Sequence, residues 1–286
     1  MKNNPIIIIG AGRSGTNILR DTICSIEGYE TWPCDEINYI WRHGNIGNEN
    51  DRFTENEATP KITNFIIKQF EKFEKDFSAE YVVEKTCANS LKVPFINKIF
   101  PQAKYIFIIR DGRDVASSAK QRWTASLELD YIFQKAKYVP ILDLPYYGIR
   151  YFVNRIKKIF SKEKRLAFWG PIYPGMFKDL KNDSLIEVCA KQWKNSVEIA
   201  VEDLSKLKGQ VHYVKYEEFV NNPIDSVKEI FSFLGKTEID EKVIKEAVKD
   251  VNPRSINNYK KYIKGEELEK LNAIVEPVMS KIYQNI

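Results

Sequence analysis

Ile6-Ile7-Ile8-Ile9-Gly10-Ala11-Gly12-Arg13-Ser14-Gly15-Thr16 is the stretch that decides the fold. Four β-branched residues ending in glycine read as a strand buried on both faces. Ile18, Leu19 and Ile23 then recur at helical spacing between Thr16 and Ser25, so strand, glycine loop and helix follow in order. The loop satisfies GxGxxG, and alone it fits a dinucleotide site, with Glu30 standing in for the ribose-binding acid. It fits the GxxxxG of a phosphate-binding loop equally well. There, however, Thr16 and Asn17 stand where GK[ST] has its lysine and its hydroxyl. The residue that reaches the β/γ-phosphates and the magnesium ligand are both missing, which argues against a metal-dependent NTPase. What remains is a helix N-terminus with free backbone N–H groups and an arginine inside the loop. That suits a phosphate held without metal.

Outward from the loop, the pattern alternates. Tyr81-Val82-Val83, Tyr105 to Ile109 and Val211 to Val214 read as short buried strands. Between them, Ile62 to Phe77, Ser90 to Phe100, Val115 to Trp123, Ile186 to Leu207 and Ile224 to Leu234 have helical periodicity. Strands alternating with helices predict an α/β fold, here P-loop-like, with three layers and a central parallel sheet flanked by helices. Pro223 stands where a helix would start and Gly235 where one would end. From Thr124 to about Asp183 the alternation stops, aromatics crowd, and Pro and Gly recur. We read 1–286 as a single domain carrying a largely helical insertion at about 124–183 on the binding side of the sheet.

Composition narrows the function classes. A chain of 286 residues with 43% hydrophobic, 13% aromatic and 29% charged residues is neither disordered nor a coiled coil. The net charge of +5 is too small for a dedicated nucleic-acid binder and hints only at an anionic partner. Seven bases and one acid between Tyr146 and Arg165 concentrate that charge, with Ile149, Phe152, Val153, Ile156 and Ile159 at helical spacing among them. A basic amphipathic helix reads as a membrane-surface element or a site for acidic partners. No apolar run reaches the ~20 residues of a membrane span. Cys24, Cys34, Cys87 and Cys189 show no metal-ligand spacing, and in a chain without a secretion signal they read as reduced thiols. The expected location is therefore cytoplasmic, with peripheral membrane contact through 146–165.

A second signal lies further on, in Phe100-Pro101-Gln102-Ala103-Lys104, a strand, and then Arg110-Asp111-Gly112-Arg113-Asp114. Arg110 stands at the carboxyl end of a buried strand, where open α/β sheets bind their ligands, and Ser118 follows on the next helix. An arginine and a serine so placed can hold a phosphate by charge-assisted hydrogen bonds. Together, the RSGT loop, FPxAK with the RDGRDxxxS segment, and Tyr216-Glu217 before Asn222-Pro223 resemble the PAPS-dependent sulfotransferases. The style is that of the tyrosylprotein and bacterial members, and the resemblance covers most of the chain from Pro5 to Gly235.

The resemblance implies PAPS as co-substrate, PAP as product, no metal, and a hydroxyl-bearing acceptor, with carbohydrate or a lipid-linked glycan as the first guess. It implies Gly12, Arg13, Ser14, Gly15, Thr16 and Asn17 as the 5′-phosphosulfate site. Asn17 departs from the second threonine common in the family. Arg110 and Ser118 would bind the 3′-phosphate, Tyr216 would pack near adenine, and Lys260, with Arg254, falls where the family closes a basic loop. Lys85 matches a family lysine beside the transferring sulfuryl group. Two residues on, Cys87 stands where cytosolic members have their histidine base, so the base must come from elsewhere. Glu36 is the candidate, with Asp35 its neighbouring alternative; a carboxylate there can take the proton of an acceptor hydroxyl. Arg13 takes the position of a cytosolic lysine and, being permanently charged, would act electrostatically. His43 reads as an acceptor contact or surface residue, His212 as structural and Trp193 as core. A P-loop kinase-like transferase and a non-catalytic PAP- or anion-binding module are the competing readings.

Overall fold

The structure, a computed structural model, describes residues 1–124, 137–149, 152–153, 166 and 168–283. Its centre is a sheet of five strands: β1 (Ile6–Ile9), β2 (Tyr29–Glu30), β3 (Tyr81–Lys85), β4 (Lys104–Ile109) and β5 (Val211–Lys215). All pairings are parallel, in the order β2-β3-β1-β4-β5. Ile8 stands level with Lys85 on one side and Ile106 on the other. The order reverses at β1, which opens a crevice beyond the carboxyl ends of β1, β3 and β4.

Strand alternation divides the core into two layers. Ile6 and Ile8 face α1 (Thr16–Cys24) and the helix Pro223–Leu234, packing with Leu19, Ile23, Ile230 and Phe231. Ile7 and Ile9 face a larger cluster built by α3 (Pro60–Asp76), α4 (Val93–Ile99), α5 (Gly112–Thr124) and α7 (Leu185–Leu204). The short α2 (Asn38–Trp41) adds Trp41, which is fully buried there. This is the three-layer α/β arrangement expected from the alternation.

Several elements differ in detail from the sequence reading. The two-residue edge strand β2 is too short to leave a periodic signal. The helix expected over 90–100 is split: a 3-10 turn at Cys87–Leu91 ends at Lys92 (φ −140°), and α4 begins with Pro94 in its first turn. Proline fits there because the first helical N–H groups have no intrahelical partner. Between positions 124 and 183, the described residues include a 3-10 turn at Ile141–Asp143, helical residues 144–149, and α6 (Met176–Asn182). Gly235 ends its helix in the left-handed conformation at φ 89°, as anticipated.

Candidate active site

The glycine loop after β1 places Arg13 at φ 77°, a left-handed conformation that a side chain rarely adopts. Such strain, of order 1–3 kcal/mol, is held only where the surroundings dictate it. Here the Arg13 carbonyl accepts Arg110 Nη1 at 3.2 Å, and Arg13 Nε donates to Ser118 Oγ at 3.0 Å. Gly15, at φ 90°, lies against Tyr216: a Cβ there would stand 2.4 Å from the ring. Only glycine therefore permits this close approach. Arg110, which follows β4, is buried over the Tyr216 ring, 4.4 Å from its centroid, and donates to the Ser255 carbonyl at 2.6 Å. The Tyr216 hydroxyl meets Ser255 Oγ at 2.5 Å. Beneath, Trp193 Nε1 donates to the Arg110 carbonyl at 3.2 Å. Two buried atoms of this wall, Arg110 Nε and Ser117 Oγ, have no hydrogen-bond partner. The Arg13 pKa is lowered, first by desolvation and then by Arg122. This end of the crevice is a crowded set of cations and hydroxyls, suited to a phosphate.

The second half of the crevice pairs acids with a lysine. Lys85, the last residue of β3, is 3% exposed. Its Nζ lies 2.7 Å from Asp35 Oδ1 and 3.4 Å from Glu36 Oε1. Burial works to lower its pKa, but the Glu36 and Asp35 carboxylates outweigh it and the net shift is upward. Asp35 is also bonded by Arg20 Nη1 at 2.9 Å, and Glu36 Oε1 accepts the Cys87 N–H at 3.2 Å. Burial, and Glu36 next, push the Cys87 thiol pKa upward, so it stays a neutral thiol.

One cleft of about 1020 Å3 takes in both halves. Gly12, Arg13, Gly15, Thr16, Asn17, Glu36, Lys85, Arg110, Ser118 and Tyr216 all line it. Ser14 lies buried behind the loop, its Oγ without a partner. Lys260 is exposed and outside the cleft lining, its Nζ 5.9 Å from the Tyr259 ring centroid. The tail instead reaches the cleft through Ser255, Asn258, Tyr259 and Tyr262. Glu30 pairs with Val82 at the sheet edge, away from the cleft. His43 does not line it either: its Nδ1 meets the buried Asp143 at 2.7 Å and its ring lies 3.8 Å from Phe65 of α3. His212 stacks on Phe233 in β5.

Sequence reading passed over several lining residues. Arg20 stands four residues after Thr16 and Arg122 four after Ser118, so helical spacing alone puts each on the face of a residue already singled out. Ser255 arrives from a remote segment with no local signal to mark it, whereas Trp169 belongs to the aromatics that crowd the 124–183 stretch.

The model of the sulfotransferase domain matches residues 3–281 of the chain. The chain belongs to the sulfotransferase domain family. Among solved structures, this sulfotransferase-domain protein is similar to the sulfotransferase domain of the curacin biosynthetic pathway, at 14% identity and a TM-score of 0.56. That match covers 98% of this chain and 97% of the other. It is similar to the sulfotransferase domain of the Synechococcus PCC 7002 olefin synthase, at 15% identity and 0.54, covering 96% and 94%. A third is mouse sulfotransferase SULT7A1 complexed with PAP, at 15% and 0.52, covering 96% and 84%. These likenesses concern the fold. No curated protein matches the chain by sequence.

Proposed function

We propose that this protein transfers a sulfuryl group from PAPS to an acceptor hydroxyl by metal-free in-line displacement. The observation that carries the proposal is the joining, in one cleft, of the Arg13, Arg110 and Ser118 cluster with Lys85 held between Asp35 and Glu36. The residues present fit the nucleotide. Arg110 Nε and Ser117 Oγ are buried donors without partners, and an anion would satisfy both. Bound PAPS supplies an activated sulfuryl group. Around it, the loop N–H groups, Thr16 and Asn17 hold the 5′ end, and Arg110 with Ser118 holds the 3′-phosphate. Tyr216 packs near the base, and the tail closes the site through Ser255, Asn258 and Tyr259. Lys85, whose charge is secured by its two acids, faces the sulfuryl oxygens, and Arg13 stabilises charge on the departing phosphate. Glu36 takes the acceptor proton. The missing lysine and hydroxyl of a magnesium-dependent loop support a metal-free route over a kinase.

We take the acceptor to be a carbohydrate or glycolipid hydroxyl. Trp169 lines the cleft and offers an aromatic face to a sugar ring. Among the described residues, no helix is long and apolar enough to cross a membrane. The four free cysteines suit a reducing cytoplasm. The exposed Ile149, Phe152 and Val153 suit a membrane-facing role for 146–165, whose bases lie outside the described residues.

Thermal unfolding with added ligand tests the proposal, because a ligand stabilises by RT ln(1 + [L]/Kd). PAP should raise the melting temperature while ATP with magnesium does not. Labelled PAPS should pass its label to an acceptor, and Glu36→Gln should keep the PAP shift while losing about a hundredfold or more in turnover. A shift with ATP and magnesium alone would favour the kinase. A PAP shift with no turnover under any acceptor would leave a binding module.

A further inference from the structure

Behind the acid–lysine half of the cleft lies a carboxylate that makes no contact with it. Glu84, 1% exposed, precedes Lys85 on β3 and points to the opposite face of the strand. Thr86 continues the extended backbone at φ −130°, so its side chain returns to the Glu84 face. Its hydroxyl donates to Glu84 Oε1 at 2.6 Å, and Asn89 Nδ2 donates to Glu84 Oε2, also at 2.6 Å. A hydroxyl has one proton, and this one is spent on Glu84. Thr86 Oγ1 therefore turns a lone pair to the Ile37 N–H, which it accepts at 3.1 Å. Ile37 follows Glu36, and their shared peptide plane is fixed by that bond. The next residue, Cys87, donates its N–H to the Glu36 carboxylate. Residues 86 and 87 thus grip Glu36 twice, once through its backbone and once through its side chain.

We infer that Glu84, acting through Thr86, is a positioning residue that sets the Glu36 carboxylate against Lys85 and the Cys87 N–H. The inference rests on Glu36 being the base proposed above. A buried carboxylate is costly unless fully hydrogen-bonded. Here both oxygens are occupied, and the bonds lead to the one loop whose placement the chemistry needs. The direction of the chain, Ile37 N–H to Thr86 to Glu84, requires Glu84 Oε1 to accept. The charged groups facing Glu84 are Glu36, Lys85 on its own strand, and Lys92, which is itself paired with Asp51 and close to Arg42. Burial raises the Glu84 pKa to about 7.

Hydrogen exchange at the Ile37 amide, PAP-dependent melting, and PAP release from PAPS with octyl β-galactoside as the hydroxyl probe test this together. Thr86→Val should speed Ile37 exchange and cut turnover by about tenfold or more, while KM for the probe and the PAP shift move less than about threefold. Thr86→Ser should restore both, and Glu84→Met should behave as Thr86→Val. Glu84→Gln keeps an acceptor for Thr86, and a turned Asn89 can present its unpartnered Oδ1 to the new amide. It should keep Ile37 protected and retain turnover. Unchanged Ile37 exchange in Thr86→Val, or a parallel collapse of PAP binding, would overturn the inference. A wild-type protein that PAP does not stabilise would instead defeat the sulfotransferase reading. Ile37 exchange would still decide whether Glu84 holds the loop.

Discussion

Arg110 shows how much one residue can be asked to do. It stacks on Tyr216, ties the glycine loop through the Arg13 carbonyl, and reaches Ser255 in the tail, with its Nε left without a partner. A guanidinium with several fixed donors suits this better than an ammonium could. Arg110→Ala should therefore weaken PAP binding by about tenfold or more, since charge-assisted hydrogen bonds contribute roughly 1.5–3 kcal/mol each. Adenosine 5′-phosphate, lacking the 3′ group, should lose far less. Equal losses by calorimetry for the two nucleotides would remove Arg110 from the 3′ site.

At the scale of elements, the packing of α5 on α7 sets the height of Arg110. Gly112 begins α5 against the face of Trp193, where a Cβ would fall 2.6 Å from the ring. Trp193 is fully buried and holds the Arg110 carbonyl, so it has no room to yield. Gly112→Ala should cost about 2 kcal/mol in urea unfolding, as overpacked sites do. It should also weaken PAP binding by displacing Arg110. Retained stability with retained PAP affinity would show that the interface gives way more easily than its distances suggest. The motif reading treats this glycine only as part of RDGRD; the neighbouring helix gives it a physical reason.

Across the whole molecule, buried charge links distant segments. Asp51 accepts Arg42 at 2.9 Å, Asn38 at 3.1 Å and the Ile172 N–H at 2.9 Å, and its own N–H donates to the Ile172 carbonyl. Lys92, fully buried, donates to Asn38 Oδ1 at 2.6 Å. This network and Glu84 hold residues 37 and 38 from two sides. It has a consequence for stability. Burial raises the Glu84 pKa from 4.5 to about 7, so between those values the folded protein keeps a proton that the unfolded chain has lost. The stabilisation from Glu84 is full below 4.5 and is lost as pH rises through about 7. Urea unfolding across that window should show the wild type losing stability relative to Glu84→Gln as pH rises. Parallel curves would mean that Glu84 does not titrate there.

Much of this was legible in the chain. The β-branched run, the glycine loop and the Arg110–Ser118 segment encode strand, turn and helix within a few residues, because local backbone preference and side-chain period set them. Parallel α/β topology then carries those loops to the carboxyl ends of the strands, so Gly12, Lys85, Arg110 and Tyr216 had to converge. The family resemblance also pointed to the Asp35-Glu36 pair and to the cysteine at the histidine position. It did not show that Lys85 is clasped by both acids, that Thr86 and Glu84 stand behind Glu36, or that Ser255 and Trp169 close the cleft. Nor did it place Lys260 outside the cleft lining. Those facts depend on contacts between residues up to 145 positions apart, as between Arg110 and Ser255. Such contacts leave no periodic trace. Only packing, which turns each side chain toward one neighbour, decides them.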